Sequence, residues 1–344
     1  MNSRNPAQPL LAVLAFLSVV FVATDPRAQT VTVTSAPNIG TVAAAASGVT
    51  TFYFNSATGA VSHVSGAGAR VSFGATNALI TLSCNSKWCH DNNLDISVTN
   101  TGSPTGRAGP LTDFTAAMGN AVLNTGTPST PANPLTFQIQ PMGTISRTFT
   151  IGASFPIYGD EQTGKPTGPA SSGFLVTMSD TNKANNSASQ SGSAAANVLH
   201  HMSISVGTDS NGFPLSLNFG RVVLNGGAGS VSMPASSGAL TVVGATALSS
   251  PTPSLGGFVV SGEGGQVISL SINGGSPIVV TNTTRGSATL SITPSVSPPG
   301  SQTLSGSLGG TGSRSYSIGG AFTLTAGMST GAYSGTYAVT ANYN

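Results

Sequence analysis

Short stretches in which apolar and polar residues alternate recur along the whole chain, and they constrain its fold more than any other feature. Examples are Val31–Thr34, Leu94–Val98 and Val267–Ile272. Clusters of glycine, proline and asparagine separate such stretches, as in Ser297–Gly300, which reads SPPG. Because successive side chains of a strand point to opposite faces, this alternation is typical of half-buried strands in antiparallel sheets. The sequence therefore predicts an all-β protein of short strands joined by tight turns.

The scarcity of charge supports the same fold class and narrows the function. Charged residues make up 6% of the 344 residues, against about 25% in an average soluble protein. Few residues therefore suit the exposed face of a helix. The formal net charge is +2, and no run of Lys or Arg is present. Proteins that bind nucleic acid usually carry a basic face, so we expect no nucleic-acid partner.

Each half of the chain contains the same segment near its end. Arg147–Phe155 reads RTFTIGASF, and Arg314–Phe322 reads RSYSIGGAF. A strand-like segment follows each of them, Ser172–Met178 in the first half and Ser334–Ala341 in the second. Recurrence of these segments in the same order indicates an internal duplication.

Two further matches lie nearer to the start of each half. Asn38–Val42 (NIGTV) parallels Asn218–Val222 (NFGRV). Leu79–Cys84 (LITLSC) parallels Val267–Ile272 (VISLSI). Matches spread over both halves indicate that the duplicated unit is a whole domain rather than one hairpin.

The duplication and the strand pattern together predict the domain organisation. Each copy is long enough for the seven to nine strands of an immunoglobulin-like sandwich. We expect two tandem immunoglobulin-like or pilin-like antiparallel β-sandwiches, over residues 31–181 and 200–344. Residues 182–199, rich in Ser, Ala and Asn, have the composition of a polar linker.

The first 28 residues have the pattern of a signal peptide. Arg4 provides the positive N-terminal region, and Leu10–Ala23 is an apolar run of fourteen residues. This run is shorter than the about 20 residues that a membrane-spanning helix needs. We expect cleavage near Ala23 or Ala28 and no transmembrane segment in the mature chain. The product is then exported to the periplasm, the cell surface or the medium.

The only two cysteines, Cys84 and Cys89, lie in the segment CNSKWC. An even cysteine count in an exported chain indicates a disulfide, which at this spacing we expect to pin a local hairpin. The loop holds Lys87 and Trp88, the single tryptophan. An exposed tryptophan is a natural contact for a glycan or a protein, so both residues are candidate ligand contacts. The alternative is that the ring covers the end of the sandwich.

The second half resembles a known family of bacterial domains. The segments that carry the resemblance are NFGRVV at Asn218–Val223, SRSYSIGGAFTLTAG at Ser313–Gly327 and GAYSGTYAVTANYN at Gly331–Asn344. They are similar to the domain of unknown function 4402, over roughly Leu215–Asn344. The resemblance implies an exported, fimbria-like or immunoglobulin-like β domain without enzymatic residues. The first half is then a diverged copy.

The last fourteen residues form a candidate assembly strand. Gly331, Tyr333, Tyr337, Val339 and Tyr343 recur at odd positions, and these positions share one face of a strand. The terminal strand of pilin subunits is similar, and in those proteins a chaperone binds it by strand addition. The resemblance implies self-association or a cognate periplasmic chaperone. The alternative is an ordinary terminal strand that completes its own sandwich.

The sequence shows no motif typical of a catalytic site. Gly327–Gly331 matches the pattern G-x-S-x-G, but no histidine follows it, as a hydrolase of that type requires. We expect no enzymatic activity, no cofactor and no metal site. The sequence favours a structural or adhesive cell-surface protein, such as a fimbria-like subunit. The alternative is a monomeric secreted module that binds a glycan or a protein through the Cys84–Cys89 loop.

Overall fold

A computed structural model describes residues 29–72, 76–85, 87–212 and 214–344. The predicted signal peptide, residues 1–28, lies outside the described residues. Strands account for 56% of the structure and helix for 2%, which confirms the predicted all-β class. The strands form two units, each with its own apolar core.

The first unit is built from thirteen strands and one short helix. These are β1 (Gln29–Ser35), β2 (Asn38–Ala43), β3 (Val49–Phe54), β4 (Val61–Ser65), β5 (Ala69–Arg70), β6 (Ala78–Cys84), α1 (Lys87–Asp91), β7 (Leu94–Asn100), β8 (Thr112–Ala117), β9 (Leu123–Gly126), β10 (Leu135–Ile139), β11 (Arg147–Tyr158), β12 (Gly168–Asp180) and β13 (Lys183–Leu199). One sheet has the order β1-β6-β11-β3-β4, with β8 also paired to β11. The facing sheet has the order β5-β2-β13-β12-β7-β10-β9.

The two sheets of unit 1 enclose one continuous core. Phe149 of β11 and Phe137 of β10 meet edge to face across the sandwich, with ring centroids 5.5 Å apart. Phe174 of β12 is fully buried between the sheets. The central strands of both sheets therefore send alternate apolar side chains inward, as the sequence pattern predicts.

The second unit contains the remaining thirteen strands. These are β14 (Ser203–Val206), β15 (Val222–Leu224), β16 (Gly229–Met233), β17 (Thr241–Val243), β18 (Ala245–Ala247), β19 (Gly256–Glu263), β20 (Val267–Ile272), β21 (Ile278–Asn282), β22 (Thr289–Ser297), β23 (Gln302–Thr303), β24 (Thr311–Leu324), β25 (Tyr333–Ser334) and β26 (Val339–Tyr343). The main sheet has the order β14-β19-β24-β22-β21-β25, and β16 pairs with both β24 and β17. The other strands form a three-stranded sheet, β23-β20-β26, and a two-stranded ribbon, β15-β18.

The order of strand pairing recurs between the units. The series β1-β6-β11 corresponds to β14-β19-β24, and the neighbours of β11, namely β3-β4 and β8, correspond to β16-β17 and β22. On the facing side, β10-β7-β12 corresponds to β23-β20-β26, and β5-β2 corresponds to β18-β15. Strand β13, which pairs with both β12 and β2 in unit 1, has no counterpart among the described residues of unit 2.

The segment expected to be a linker is instead part of the first sandwich. Residues Lys183–Leu199 form β13, which runs antiparallel to β12 and parallel to β2. Its inward side chains include Ala194, Ala196 and Val198, which are buried in the core. These side chains are small, so the sequence shows only a weak apolar signal, and the composition resembled that of a linker.

Two local expectations also differ from the structure. The sequence match between Leu79–Cys84 and Val267–Ile272 does not correspond to equivalent strands of the two sandwiches. The first segment lies in β6, which pairs with β1 and β11, whereas the second is β20, which pairs with β23 and β26. The Cys84–Cys89 disulfide is present, but it does not pin a hairpin. It joins the end of β6 to α1, in the connection that crosses from one sheet to the other.

Candidate assembly surface

Strand β26 lies at an edge of the second unit, and half of its backbone groups point away from its own sheet. The N–H of Asn344 donates to the Val267 carbonyl at 3.0 Å, and the N–H of Asn273 donates to the Ala338 carbonyl at 2.7 Å. In an antiparallel pair, bonded and non-bonded positions alternate. The N–H and C=O groups of Val339, Ala341 and Tyr343 are therefore directed to the side opposite β20.

In unit 1 the equivalent edge is covered. There β13 fills the position between β12 and β2, antiparallel to the first and parallel to the second. In unit 2, within residues 200–212 and 214–344, no strand pairs with the outer edge of β26 or with the corresponding edge of β15. We call this position, bounded by β26 and β15, the open strand position.

The core next to the open strand position is incompletely covered. Tyr337, Val339 and Ala341 pack against the apolar cluster of unit 2 but are only half-buried. By contrast Val176 and Met178, the inward residues of the equivalent strand β12, are completely buried. The inward residues of β26 are more exposed than those of β12 because no described strand of unit 2 covers them as β13 covers β12.

The β15-β18 ribbon exposes further apolar surface in unit 2. Val223 of β15 is 48% exposed, and Val243 at the end of the neighbouring strand β17 is 63% exposed. Leu248, just after β18, is also exposed. Apolar side chains that are exposed beside unpaired strand edges are typical of sites at which another chain adds a strand.

The candidate assembly strand predicted from the sequence, Gly331–Asn344, is divided between two sheets. Tyr333 lies in β25, which pairs with β21 in the main sheet, and its hydroxyl donates to the Ser329 carbonyl at 2.7 Å. Tyr337, Val339 and Tyr343 lie on the inner side of β26 or just before it. Gly331 has φ of +148°, and a Cβ there would lie 2.6 Å from the Asn282 Oδ1. Gly331 and Tyr333 therefore belong to the crossing between sheets rather than to the assembly strand.

Both tyrosines near β26 pack their rings against the apolar cluster of unit 2, and Tyr343 is also held by its hydroxyl group. Burial raises the pKa of Tyr337. Burial is also the main cause that raises the pKa of Tyr343 to about 12. The Tyr343 hydroxyl donates to the His200 carbonyl at 2.8 Å and accepts from the Glu263 N–H at 2.6 Å. One edge of β26 is thus fixed within its own sandwich while the other edge remains unpaired.

The cysteine loop lies in unit 1, in the connection between β6 and β7. Lys87 is exposed at the start of α1. The backbone of Trp88 belongs to the same helix, and its side chain lies outside what the structure describes. The N–H of Met142 donates to the Cys89 carbonyl at 3.0 Å, which ties the loop to the sandwich. A ligand contact through Lys87 and Trp88 stays a prediction.

Sequence reasoning missed Glu263, which is 1% exposed and lies where the two units meet. The sequence feature that could have identified Glu263 is the scarcity of acidic residues around it, because Asp209 is the only other acidic residue after residue 200. A lone carboxylate at the end of an apolar strand costs much to bury unless several donors surround it.

Among the described residues, no helix is long and apolar enough to cross a membrane.

Comparison with known proteins supports the sequence resemblance for the second unit. Residues 208–343 match the model of the family described as domain of unknown function 4402. That match does not extend to the first unit, so its origin as a diverged copy of this family stays a prediction. No curated protein matches the sequence.

Several solved structures are similar to this chain, with low sequence identity and low TM-scores. The chaperone–tip adhesin complex of CFA/I fimbriae shows 9% identity and a TM-score of 0.23, covering 91% of this chain and 98% of that chain. A PapD-like domain of human CEP192 shows 6% identity and a TM-score of 0.23, covering 56% and 99%. The collagen-binding subdomain of the Enterococcus faecalis surface protein ACE shows 9% identity and a TM-score of 0.18, covering 35% and 87%. At these TM-scores, any case for function depends on the geometry of this chain.

Proposed function

We propose that this chain is an exported, non-enzymatic structural or adhesive protein of the cell surface, a fimbria-like subunit that assembles by β-strand addition. The observation that carries the proposal is the open strand position of unit 2. A strand from another chain would pair with β26 there and complete the sandwich. A cognate periplasmic chaperone would cover the same edge before assembly.

Pairing at this edge is favourable for two physical reasons. Val339, Ala341 and Tyr343 present three N–H and three C=O groups to an incoming strand, and each backbone hydrogen bond contributes about 0.5–1.5 kcal/mol net. The same strand would cover the half-buried side chains next to it, at about 25 cal/mol for each Å² of apolar surface removed from water. Main-chain bonds then provide affinity, and the alternating side chains provide register.

Unit 1 indicates the kind of strand that fits. The segment in the equivalent position, β13, is extended over seventeen residues and places small side chains such as Ala194 and Ala196 against the core. A partner strand for unit 2 should share this pattern of small inward residues. It should run antiparallel to β26 and parallel to β15, as β13 runs with respect to β12 and β2.

The two units then have different tasks. Unit 1 has its sandwich complete and needs no partner to cover its core, so it suits an exposed structural or adhesive role. The Cys84–Cys89 disulfide agrees with an oxidising compartment such as the periplasm or the exterior. Contact with a surface glycan or protein would be made by unit 1, and assembly by unit 2.

A synthetic peptide with the sequence of residues 183–199 tests the proposal. Calorimetric titration into the whole protein should show one binding event at unit 2. Ala341→Pro removes an N–H that points to the open side while leaving the bonds to β20 in place, and proline is tolerated at such edge positions. This variant should stay folded and lose peptide binding, whereas Thr340→Ala, a side-chain change on the outer face, should bind as the wild type does.

Binding of equal affinity to Ala341→Pro would show that the peptide enters elsewhere and would refute the proposal. Light scattering then identifies the source of the natural strand. If the protein forms oligomers that the peptide disperses, a second copy provides the strand. If the protein is a monomer that still binds the peptide, a different partner provides it.

A further inference from the structure

The two units meet at His200 and His201, where both backbone N–H groups and the His200 carbonyl are hydrogen-bonded. The His200 N–H donates to the Glu263 Oε2 at 3.0 Å, and the His200 carbonyl accepts from the Tyr343 hydroxyl at 2.8 Å. The His201 N–H donates to the Asp160 Oδ2 at 2.9 Å. A connection bonded in this way has little freedom to rotate.

Unit 1 contributes a carboxylate that is itself held in place. Asp160 Oδ1 forms an ion pair with the Arg107 guanidinium and lies 3.1 Å from the His200 Nδ1. Arg107 is buried, and its Nε donates to the Lys165 carbonyl at 3.1 Å. Because Arg107 fixes Asp160, the bonds from Asp160 to the two histidines are made by a rigid group of unit 1.

Unit 2 contributes the second carboxylate, and it reaches across the boundary. Glu263 Oε1 accepts from the Thr167 hydroxyl of unit 1 at 3.2 Å and from the Gly309 N–H of unit 2 at 2.6 Å. Its other oxygen accepts from His200. Glu263 therefore joins unit 1, unit 2 and the connection between them within one buried network, where each bond to a charged group is worth more than a neutral one.

Tyr343 links this network to the open strand position. Its hydroxyl donates to the His200 carbonyl and accepts from the Glu263 N–H. Its own N–H and C=O are directed to the open side of β26. A strand that pairs with β26 would restrain the same residue that holds the connection between the units.

We propose that Asp160, Glu263 and Tyr343 form a clamp on the His200–His201 connection, and that strand addition to β26 tightens it. This inference rests on the proposed function. With the open strand position filled, Tyr343 is bonded through its backbone to the added strand and through its hydroxyl to His200 and Glu263. Unit 1 is then held in one orientation. With the position empty, β26 is free to fray from its outer edge and the clamp loosens. The orientation of unit 1 is thereby coupled to completion of the sandwich of unit 2.

The coupling is reciprocal, so a change at the clamp must alter strand binding. Thr167→Val removes the hydroxyl donor of unit 1 and keeps the side-chain volume. Thr167 belongs to the unit that the incoming strand does not touch. We expect this variant to bind the peptide of residues 183–199 about fivefold more weakly than the wild type, at the lower end of typical coupling. Thr136→Val, an exposed threonine of β10 in the same unit, is the matched control and should leave binding unchanged.

A distance measurement reads the clamp without the peptide. Spin labels on Ser103→Cys in unit 1 and Ser236→Cys in unit 2, both exposed positions, report the distance between the units by pulsed electron resonance. We expect Thr167→Val to broaden the distance distribution relative to Thr136→Val. We expect the peptide to narrow the distribution of the wild type.

The outcomes separate the two proposals. If the peptide fails to bind any form of the protein, the proposed function is wrong. If the peptide binds wild type, Thr136→Val and Thr167→Val equally and leaves the distance distribution unchanged, strand addition is supported and the clamp is refuted. Weaker binding confined to Thr167→Val, with a broader distribution, supports the clamp.

Discussion

Replacing Tyr343 with phenylalanine removes one oxygen atom from the junction and should destabilise unit 2. The hydroxyl makes two hydrogen bonds, one from the Glu263 N–H and one to the His200 carbonyl. Glu263 is 1% exposed, so water cannot replace the lost acceptor. At about 0.5–1.5 kcal/mol for each bond, the free energy of unfolding should fall by about 2 kcal/mol.

Thermal unfolding of the whole protein checks this magnitude. In a domain of about 150 residues, 1 kcal/mol corresponds to a change in Tm of about 2–4 °C. Tyr343→Phe should therefore unfold about 4–8 °C below the wild type. Tyr333→Phe is the matched control, because its hydroxyl bonds the carbonyl of Ser329 at an exposed site. It should shift Tm by about 1 °C, since exposed bonds contribute little net stability.

An equal effect of the two substitutions would refute the reasoning. It would mean that the ring of Tyr343 holds β26 and that the hydroxyl bonds across the junction contribute nothing. In that case the clamp on the connection would lose its link to the open strand position. Circular dichroism in the far ultraviolet, recorded before heating, confirms that both variants start from the folded state.

The remaining predictions concern pH, the partner strand and the disulfide. The pKa of Tyr343 is raised to about 12 from about 10 in an unfolded chain, so between these values the unfolded state binds fewer protons and stability falls as pH rises. The stability difference between wild type and Tyr343→Phe should therefore shrink between pH 10 and pH 12, as urea unfolding at several pH values will show. Appending the sequence of residues 183–199 after Asn344 through a short turn should raise the Tm of unit 2 and abolish binding of the free peptide; unchanged peptide binding would contradict strand addition. The Cys84→Ser and Cys89→Ser double variant loses closure of a very short loop, which costs about 2 kcal/mol in the chain-entropy account, so urea unfolding should show unit 1 destabilised and unit 2 unchanged.

The strands that sequence analysis located are those in which large apolar residues alternate with polar ones. The stretch around Phe174, Val176 and Met178 is an example, because each inward side chain is a strong hydrophobic signal and all three are buried. The same method missed β13, whose inward residues are mostly alanine. Small side chains fill a narrow space as well as large ones fill a wide space, but they leave little contrast in the sequence.

The assembly surface was predictable only in part. The alternation of Tyr337, Val339 and Tyr343 identified their common face, which depends on neighbours in the sequence. The open edge depends on which strands pair, and β15 lies more than a hundred residues before β26. The bonds of Glu263 to Thr167 and His200 join distant parts of the chain, so no local pattern indicates them. Pairing over such distances is set by the packing of the whole unit.

The parallel pairing of β13 with β2 has a consequence for the order in which the chain folds. It joins Asn38–Ala43 to the end of β13, so this contact spans almost the whole of unit 1. Contacts between residues so far apart in the sequence form late and make folding slower. Until β13 has docked, unit 1 has the same kind of uncovered edge as unit 2. Under the proposed function, a newly made chain passes through a stage with two unpaired edges, of which β13 closes the first and a partner strand the second.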